Sequence, residues 1–497
     1  MVISESNTTE YPAGQDPARW RILGVVLAAI FMSLISVSII NVALPSIQRG
    51  LGADETDMQW VLSGYALTFG VVLVAAGRAG DLLGRGGMFL LGIVIYTASS
   101  VVAGVAPNAE MLNTARFIQG VGAGFLNPQG VGMIQQYFRG TERGRAFGFF
   151  GSTVGVAVAI GPVLGGLLIK LGGPELGWRL TFLVNLPFGI LAIVLGLLWF
   201  PRPLLARIRS EETGRPIGAL KTVASLDPFG ALLLGLAVLA VMIPFMEAGG
   251  SAWFWALLPL AALLLFAWAR WERRVEAKGN APMVNLDVFH HSSFRNGSLL
   301  AMLWFGGITS IWVLVALYFQ NALGHSALVA GTIGVPAALL SALSANWAGK
   351  HVIAKGRSIV IGGMVLVLVG LSLTIALIWA VERFGIPEWW LIASLAIVGC
   401  AQGTVISPNQ TLTLADVPTE YAGASGAILQ TGQRIGTSIG LTVVTAVTFG
   451  VLASHSWTTS LIAGFATIIG ICCTSLAVGI VDLRTRTASS TRTETVS

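Results

Sequence analysis

Long apolar stretches separated by short polar ones dominate the chain. Two of them, 88–106 and 182–200, contain no charged residue. Each approaches the roughly 20 residues that a helix needs to cross a bilayer core about 30 Å thick. Backbone polar groups in lipid must be satisfied within a helix or a closed barrel, and these runs are too long and too uniformly apolar for barrel strands of about 10 residues. The pattern predicts an all-α polytopic membrane protein.

The apolar runs, counted against the turns and charges that interrupt them, predict fourteen spanning helices. An even number of spans places both termini on the same side of the membrane. The predicted spans are 20–45, 57–77, 88–106, 110–137, 145–170, 180–200, 226–246, 252–270, 296–320, 328–349, 358–380, 388–412, 424–452 and 458–481.

Basic residues fall mainly on one side of these spans. If the N-terminus is cytoplasmic, 23 of the 29 Lys and Arg residues lie on cytoplasmic segments, four lie outside, and Arg116 and Arg434 lie within spans. Because Lys and Arg accumulate on cytoplasmic loops, the split predicts that both termini and the loop 201–225 are cytoplasmic. It also accounts for the basic balance of the chain without a nucleic-acid partner.

A repeated loop indicates two related halves. Residues 77–85 and 349–357 each contain a Gly, a second Gly seven positions later and then an Arg. Two ordinary Gly-containing turns would give the same spacing, but six predicted spans on each side of spans 7 and 8 favour a duplication. We expect an N-terminal six-helix half over 1–200, a cytoplasmic loop with the inserted spans over 201–295, and a C-terminal six-helix half with a cytoplasmic tail over 296–497.

Five short motifs occur in order along the predicted spans. They are SIINVALPSI (38–47), GRAGDLLGR (77–85), the R-x-x-Q-G that begins at Arg116, Gly155 with GPVLGG (161–166), and WRLTFLVNLPFG (178–189). Together they resemble the signatures of the major facilitator superfamily, specifically its fourteen-span drug:proton antiporter branch. The resemblance implies a major facilitator fold of two six-helix halves plus two inserted helices, and a multidrug efflux function linked to antibiotic resistance.

The loop after span 2 resembles the gating motif of this family. Its residues are Gly77, Asp81, Gly84 and Arg85. An Asp and an Arg four positions apart could lock two helices in one state and release them in the other, because helix interfaces are bistable. The alternative is a solvated turn whose charges only orient the chain in the membrane.

Span 5 resembles the antiporter motif of the family. Small residues allow helices to approach closely, and a proline bends a helix by removing a hydrogen bond. A closely packed, bent helix suits a pivot, although packing without gating would use the same residues. The motif residues are Gly155, Gly161, Pro162, Gly165 and Gly166.

The charges within the spans mark a candidate pocket for substrate and coupling ion. An ionisable group inside a membrane is costly and points to function, although Arg116 and Arg434 could equally tie helices together through backbone carbonyls. Nearby polar side chains complete the candidate set. Its members are Ser36, Asn41, Tyr65, Arg116, Gln119, Asn127 and Arg434.

None of the 23 acidic residues lies in the middle third of a predicted span. In the family, span 1 usually carries an Asp that serves as a proton or cation site, and Ser36 stands at that position. Serine does not titrate in the physiological range, so the proton carrier is left open, with Asp57, Asp81 and Glu247 as further candidates. Alternatively, Ser36 only packs span 1 against span 4 or 5.

These observations predict a secondary active transporter that is not an enzyme. It would export amphipathic small molecules or drugs by alternating access, with protons as the coupling ion, as a monomer in the cytoplasmic membrane of a bacterium. The sequence contains no phosphate-binding loop of the GxxxxGK[ST] type and no metal-ligand cluster, so neither ATP nor a cofactor nor a metal is expected.

Two other functions stay open. One is an exporter of a specific native metabolite or lipid, with weak or atypical proton coupling because Ser36 replaces the family's Asp. The other is a receptor or scaffold that transports nothing, against which stand loops of only about 25 residues and no appended soluble domain.

Overall fold

The computed structural model describes residues 2–3, 18–206, 209–210, 222, 225–247, 252–279 and 282–494. Helices account for nearly all of this part of the chain. One antiparallel pair of two-residue strands, β1 (Val2–Ile3) and β2 (Arg209–Ser210), is also present. The predicted all-α class is therefore confirmed.

Fourteen α-helices follow one another along the described residues. Short 3₁₀ segments at Ala252–Ala256, Leu286–His290, Glu388–Trp390 and Thr419–Tyr421 and a π turn at Tyr318–Ala322 lie between them. The helices are α1 (Ala18–Leu51), α2 (Glu55–Leu83), α3 (Arg85–Gly104), α4 (Ala109–Tyr137), α5 (Gly140–Leu183), α6 (Asn185–Trp199), α7 (Pro228–Met246), α8 (Leu257–Ala277), α9 (Ser292–Leu317), α10 (Ala327–Lys355), α11 (Arg357–Phe384), α12 (Leu391–Thr413), α13 (Ala422–Leu452) and α14 (Trp457–Glu494).

Thirteen segments of the described residues are long and apolar enough to cross a membrane. The predicted span 110–137 is not among them, although it corresponds to the 29-residue helix α4. Polar side chains along α4 lower its apolarity, and most of them are buried against protein. The count of fourteen spans therefore stays a prediction, supported for thirteen.

The boundary between predicted spans 5 and 6 differs from the sequence expectation. Helix α5 extends through the predicted loop between spans 5 and 6. The chain reverses inside this loop at Gly173, which has φ 69° and ψ −167°. Glycine adopts this positive φ without the steric cost that other residues incur. The membrane-length segments on either side are Gly140–Gly173 and Glu175–Trp199, so span 6 begins earlier than residue 180.

The described chain forms two compact units. Unit 1 comprises Met1–Arg139, Leu164–Val288 and Val417–Thr431, and unit 2 comprises Gly140–Val163, Phe289–Asp416 and Gly432–Ser497. One apolar core of unit 1 surrounds the buried Trp178 and Phe182. The core of unit 2 surrounds Trp304 and Phe319. The division at residues 200 and 296 is not tested by these units and stays a prediction.

The two repeated loops have the same construction. Gly84 ends α2 with φ 105° and Gly356 ends α10 with φ 55°, both in the range that favours glycine. The next residue, Arg85 or Arg357, begins the following helix and is buried in each case. The spacing that predicted a duplication therefore corresponds to a repeated structural feature.

Candidate functional site

A chain of buried polar side chains crosses four helices of unit 1. Ser36 on α1 accepts a hydrogen bond from Asn185 Nδ2 on α6 at 3.3 Å. The same nitrogen lies 3.3 Å from Ser100 Oγ on α3, and Gln119 Nε2 on α4 donates to that hydroxyl at 2.6 Å. All four residues are fully inaccessible to solvent. Polar groups in an apolar interior need such partners, because an unpaired group costs several kcal/mol.

Arg116 extends this polar chain to α2. Its Nη1 donates to Gln119 Oε1 at 2.6 Å, and its Nε donates to the carbonyl oxygen of Val61 at 2.8 Å. The guanidinium carbon lies 4.4 Å from the ring centroid of Tyr65, a cation–π distance. Among the described residues, no carboxylate forms an ion pair with Arg116, so backbone and amide dipoles and an aromatic ring face its charge.

Two of the predicted pocket residues lie outside this polar chain, and the side chain of a third is not described. Asn127 is buried but donates within its own helix, to the carbonyl oxygen of Ala123 at 3.1 Å. Arg434 is half-buried on the part of α13 that belongs to unit 2. Asn41 lies on α1, and its side chain is outside the described part of the chain. The structure thus brings together Ser36, Tyr65, Arg116 and Gln119.

Sequence reasoning missed two members of the polar chain, Ser100 and Asn185. Ser100 follows another serine in an apolar run, and nothing in the sequence distinguishes it. Asn185 lies in the quoted WRLTFLVNLPFG motif, where a lone amide within an apolar span was a usable signal.

Asp81 of the gating motif binds the first turn of α13. Its carboxylate accepts hydrogen bonds from the backbone N–H groups of Gly423 and Ala424, each at 2.9 Å. Those N–H groups have no partner inside their own helix, and the helix dipole adds a positive partial charge there. Arg85 donates to the same carboxylate at 2.8 Å. The side chain of Asp81 is 1% exposed, so this pair is buried rather than solvated.

Arg85 joins two further segments of unit 1, helix α4 and the 3₁₀ segment before α13. Its Nη1 donates to Gln136 Oε1 at 2.9 Å and to the carbonyl oxygen of Gly132 at 3.3 Å. Its Nη2 donates to the carbonyl oxygen of Thr419 at 2.5 Å. Gly77 permits the close approach of α13, because a Cβ atom there would lie 2.6 Å from the carbonyl oxygen of Gly423. Gly77, Asp81 and Arg85 therefore form one contact between α2, α3, α4 and α13, and Gly84 forms the turn between α2 and α3.

The antiporter-motif residues lie on the helix-packing faces of α5. In unit 2, a Cβ atom on Gly155 would lie 2.9 Å from the carbonyl oxygen of Ala338 on α10, and Pro162 packs against Gly331 of the same helix. In unit 1, Gly165 packs against Ile39 of α1.

The two remaining motif glycines differ in burial. Gly161 is buried and Gly166 is partly exposed. All five motif residues thus belong to a closely packed helix, and the pivot role stays a prediction.

Unit 2 contains a buried ion pair that the sequence did not indicate. Arg357 Nε lies 2.5 Å from Asp482 Oδ2, and both side chains are fully buried. Arg357 Nη1 also donates to Asn409, and Asn296 Nδ2 donates to Asp482 at 3.1 Å. Asp482 lies just beyond predicted span 14, which ends at residue 481.

The other carboxylates considered for proton transfer lie at helix ends. Asp57 closes a capping box with Asp54 at the start of α2. Glu247 follows α7 and accepts a hydrogen bond from Gln59 at 3.2 Å. Asp57 thus stabilises a helix terminus, Glu247 links the end of α7 to α2, and neither joins the buried polar chain.

A protein family and several known proteins are similar to this chain. The family model described as Major Facilitator Superfamily matches residues 26–248 and 211–441. The chain is 33% identical to the probable actinorhodin transporter of Streptomyces coelicolor over 89% of this chain and 75% of that protein. It is 31% identical to the puromycin resistance protein Pur8 of Streptomyces alboniger over 89% of this chain and 84% of that protein.

More distant proteins share the fold. The multidrug resistance protein Stp of Mycobacterium tuberculosis (strain CDC 1551 / Oshkosh) is 28% identical over 84% of this chain and 73% of its own length. The solved structure of the proton:xylose symporter XylE, at 14% identity, has a TM-score of 0.62 and covers 92% of this chain and 94% of that chain. At that identity, the likeness to the symporter concerns the fold alone.

Proposed function

This chain belongs to the major facilitator superfamily, and we propose that it exports amphipathic small molecules, including antibiotics, by alternating access. The chain is a multi-pass membrane transporter and not an enzyme. The observation that carries the proposal is its similarity, over most of both lengths, to proteins named for actinorhodin transport and puromycin resistance. Export removes such compounds from the cell that makes or meets them.

The buried polar chain from Ser36 to Arg116 is the part of unit 1 that we assign to substrate recognition and coupling. It holds one fixed positive charge and, among the described residues, no paired carboxylate. Opposite charges attract more strongly where the effective dielectric constant is low. A pocket bordered by this charge therefore favours neutral or anionic substrates over lipophilic cations.

We propose that proton antiport drives export and that the Asp81 contact acts as the gate. Antiport needs a group that binds a proton in one state and releases it in another, and Ser36 cannot serve. The contact of Asp81 with the first turn of α13 joins distant parts of the chain through hydrogen bonds that a helix movement would break. Such a contact has two discrete arrangements, which a transport cycle requires.

A second candidate function is export of one native compound. Its support is the name of the actinorhodin transporter, which refers to a single compound, and the serine at position 36. A narrow exporter with weak proton coupling would tolerate the loss of the family's carboxylate.

The proposed setting is the cytoplasmic membrane of a bacterium, with both termini in the cytoplasm and the protein acting as a monomer. The similar proteins from Streptomyces and Mycobacterium support the bacterial membrane. The distribution of Lys and Arg supports the orientation.

A susceptibility panel tests the proposed function. Bacteria that lack their own efflux pumps would express the parent chain, the Arg116→Ala variant or an empty vector, at matched protein levels. We expect the parent to raise the inhibitory concentration of several neutral or anionic antibiotics at least fourfold, and the variant to behave like the vector. Protection against one compound alone would favour the narrow exporter, and identical susceptibility in all three strains would refute drug export.

A further inference from the structure

The two inserted helices contain a buried pair of carboxylates. Asp227 immediately precedes α7, and Glu272 lies on α8; they are 6% and 1% exposed. The two oxygens of Asp227 lie 2.9 and 3.1 Å from Trp271 Nε1, and Oδ1 also accepts from the N–H of Gly230 at 3.0 Å. Burial of a charge is costly without such partners, so Asp227 is equipped to carry a negative charge.

The two carboxylates reach the same place beside α7. A Cβ atom on Gly230 would clash with Asp227 Oδ2 and would lie 2.9 Å from Glu272 Oε1. The close approach of both oxygens therefore requires glycine at position 230. Like charges held together away from water repel, and the usual remedy is that the pair holds a proton.

Glu272 is the less well partnered of the two. Its Oε2 accepts a long hydrogen bond from the N–H of Val284 at 3.4 Å, and the backbone N–H of Met283 and the side chain of Trp268 lie near the same carboxylate. Its Oε1 is buried and has no hydrogen-bond partner among the residues that the structure describes. A protonated carboxyl group can donate a hydrogen bond, whereas an ionised one only accepts, so Glu272 is the member suited to hold the proton.

Arg78 of α2 provides a second indication. It is 3% exposed, and its Nε and Nη2 atoms are buried without a hydrogen-bond partner in the described chain. Its charge interacts with Asp81, with Tyr421 and with both Glu272 and Asp227. A buried guanidinium with unused donors, within electrostatic reach of two carboxylates, responds to a change in their protonation.

The backbone at Asp227 is held in an unfavourable conformation. Its φ of 49° makes it the single non-glycine residue with positive φ in the described chain. Such residues persist where the surroundings determine them, and they concentrate at functional sites. The indole of Trp271 and the first turn of α7 hold the carboxylate in place despite this backbone.

We propose that Asp227, Glu272 and Arg78 form a proton-binding site on the inserted helices, and that its occupancy controls the Asp81 gate. With one proton bound, the two carboxylates carry a single negative charge that balances Arg78. Without the proton, they carry two, and they attract Arg78 more strongly. Arg78 lies three residues before Asp81 on α2. The attraction of Arg78 to the two carboxylates therefore competes with its attraction to Asp81.

Among the residues that the structure describes, few other charged or titratable groups surround the site. Helix α7 contains no charged residue. On α2 and near α13, the interacting groups are Asp81 and Tyr421. The remaining charged residues of α8 are exposed, namely Arg270, Arg273, Arg274 and Glu276. The site therefore comprises two carboxylates and one arginine, and it deepens the proposed proton coupling, on which its role in transport rests.

Infrared spectroscopy of the substrate-free protein in lipid nanodiscs tests the site. A difference spectrum between mildly acidic and mildly alkaline buffer reports protonated carboxyl groups that lose their proton. We expect a carboxyl carbonyl band in the parent that disappears in Glu272→Gln and shifts in Asp227→Asn. Glu276→Gln, an exposed carboxylate one turn away on the same helix, should leave it unchanged. The same band in the parent, Glu272→Gln and Asp227→Asn would overturn the proposal.

Hydrogen exchange at the backbone amides of Gly423 and Ala424 tests the link to the gate. We expect the protection factors of these two amides, which are corrected for the pH dependence of intrinsic exchange, to change at least threefold in the parent over the same pH interval, and this change to vanish in Glu272→Gln. Glutamine keeps the size of glutamate, and unchanged thermal unfolding would show that the variant folds. If the protection factors of these amides change with pH in Glu272→Gln as they do in the parent, control of the gate is refuted.

The two proposals can fail separately. If the band is assigned to Glu272 but transport does not depend on the pH gradient, the proton site exists and the proposed antiport is wrong. If transport depends on the pH gradient and no band responds to Glu272→Gln, antiport holds and the proton is carried elsewhere.

Discussion

Arg116 carries a full positive charge that no ion-paired carboxylate of the described chain balances. Placing an arginine at the centre of a membrane costs about 3 kcal/mol on insertion scales. Two hydrogen bonds and a cation–π contact offset part of this cost. These contacts also fix the planar guanidinium in one orientation, which lysine, with a compact ammonium group, could not reproduce.

We predict that Arg116→Lys reduces transport at least tenfold at equal expression. The lysine retains the charge but cannot bridge the carbonyl oxygen of Val61 and the amide of Gln119 at the observed distances. Transport of a fluorescent substrate by whole cells measures the effect. Arg49→Lys, an exposed position at the end of α1, is the matched control. Equal transport by Arg116→Lys and the parent would reduce Arg116 to a tie between α4 and α2.

Ser36 occupies a position where a carboxylate would find a ready partner. Asn185 Nδ2 already donates to the serine hydroxyl at 3.3 Å, and the polar chain leads from there to Arg116. We predict that Ser36→Asp increases pH-dependent transport and shifts substrate preference toward cations, since it places a titratable negative charge in the pocket.

Proton flux into proteoliposomes measures the effect of the new carboxylate. Ser36→Ala, which removes the hydroxyl without adding charge, is the control and should leave proton flux at the parent level. If Ser36→Asp moves no more protons than Ser36→Ala and shows the same substrate preference, Ser36 only packs its helix.

At the scale of helices, the contact between α2 and α13 depends on charge placed at a helix start. Asp81 satisfies two N–H groups of α13 and binds Arg85 at the start of α3. Each hydrogen bond to a charged group contributes about 1.5–3 kcal/mol, so the contact favours one arrangement of these helices substantially. Transport requires that the helices also leave this arrangement.

We predict that Asp81→Asn lowers transport at least tenfold while the protein still inserts and folds. Asparagine retains one carbonyl oxygen but loses the charge, so it cannot accept from Arg85 and both N–H groups equally well. Initial rates of substrate efflux measure the change. Glu110→Gln, at an exposed position on α4, should transport as the parent does. Parent-like rates in Asp81→Asn would show that the contact is not a gate.

The helices themselves were readable from the sequence, whereas the contacts between them were not. Apolar length alone placed thirteen of the spans, because lipid imposes that length directly. Apolar length does not identify α4 as a span, because many of its residues are polar and are buried against protein. It also placed the start of span 6 at residue 180, although the membrane-length segment begins at Glu175, just after the reversal at Gly173. The partners of Asp81 and Arg357 lie more than 100 residues away, at Gly423 and Asp482, and periodicity contains no such information.

For the whole molecule, the distribution of basic residues predicts which side each loop faces. Residue 210 lies in the predicted cytoplasmic loop 201–225, and residue 107 lies in the predicted external turn between α3 and α4. We predict that an impermeant thiol reagent, added outside intact cells, labels Pro107→Cys and not Ser210→Cys.

Labelling is carried out in a background without native cysteines, with permeabilised cells as the positive control for Ser210→Cys. External labelling of Ser210→Cys with no labelling of Pro107→Cys would reverse the orientation of every helix. Labelling of both from outside would show that the span count between them is wrong.

The central claim is that this transporter moves small molecules against their gradient at the expense of a proton gradient. The most direct measurement uses the purified chain in proteoliposomes, loaded with the antibiotic that gives the largest shift in susceptibility. An imposed pH gradient should drive concentration of the compound across the membrane, with protons moving in the opposite direction, and dissipation of the gradient should abolish both. Equilibration of the compound to equal concentrations on the two sides, with and without the gradient, would contradict the account.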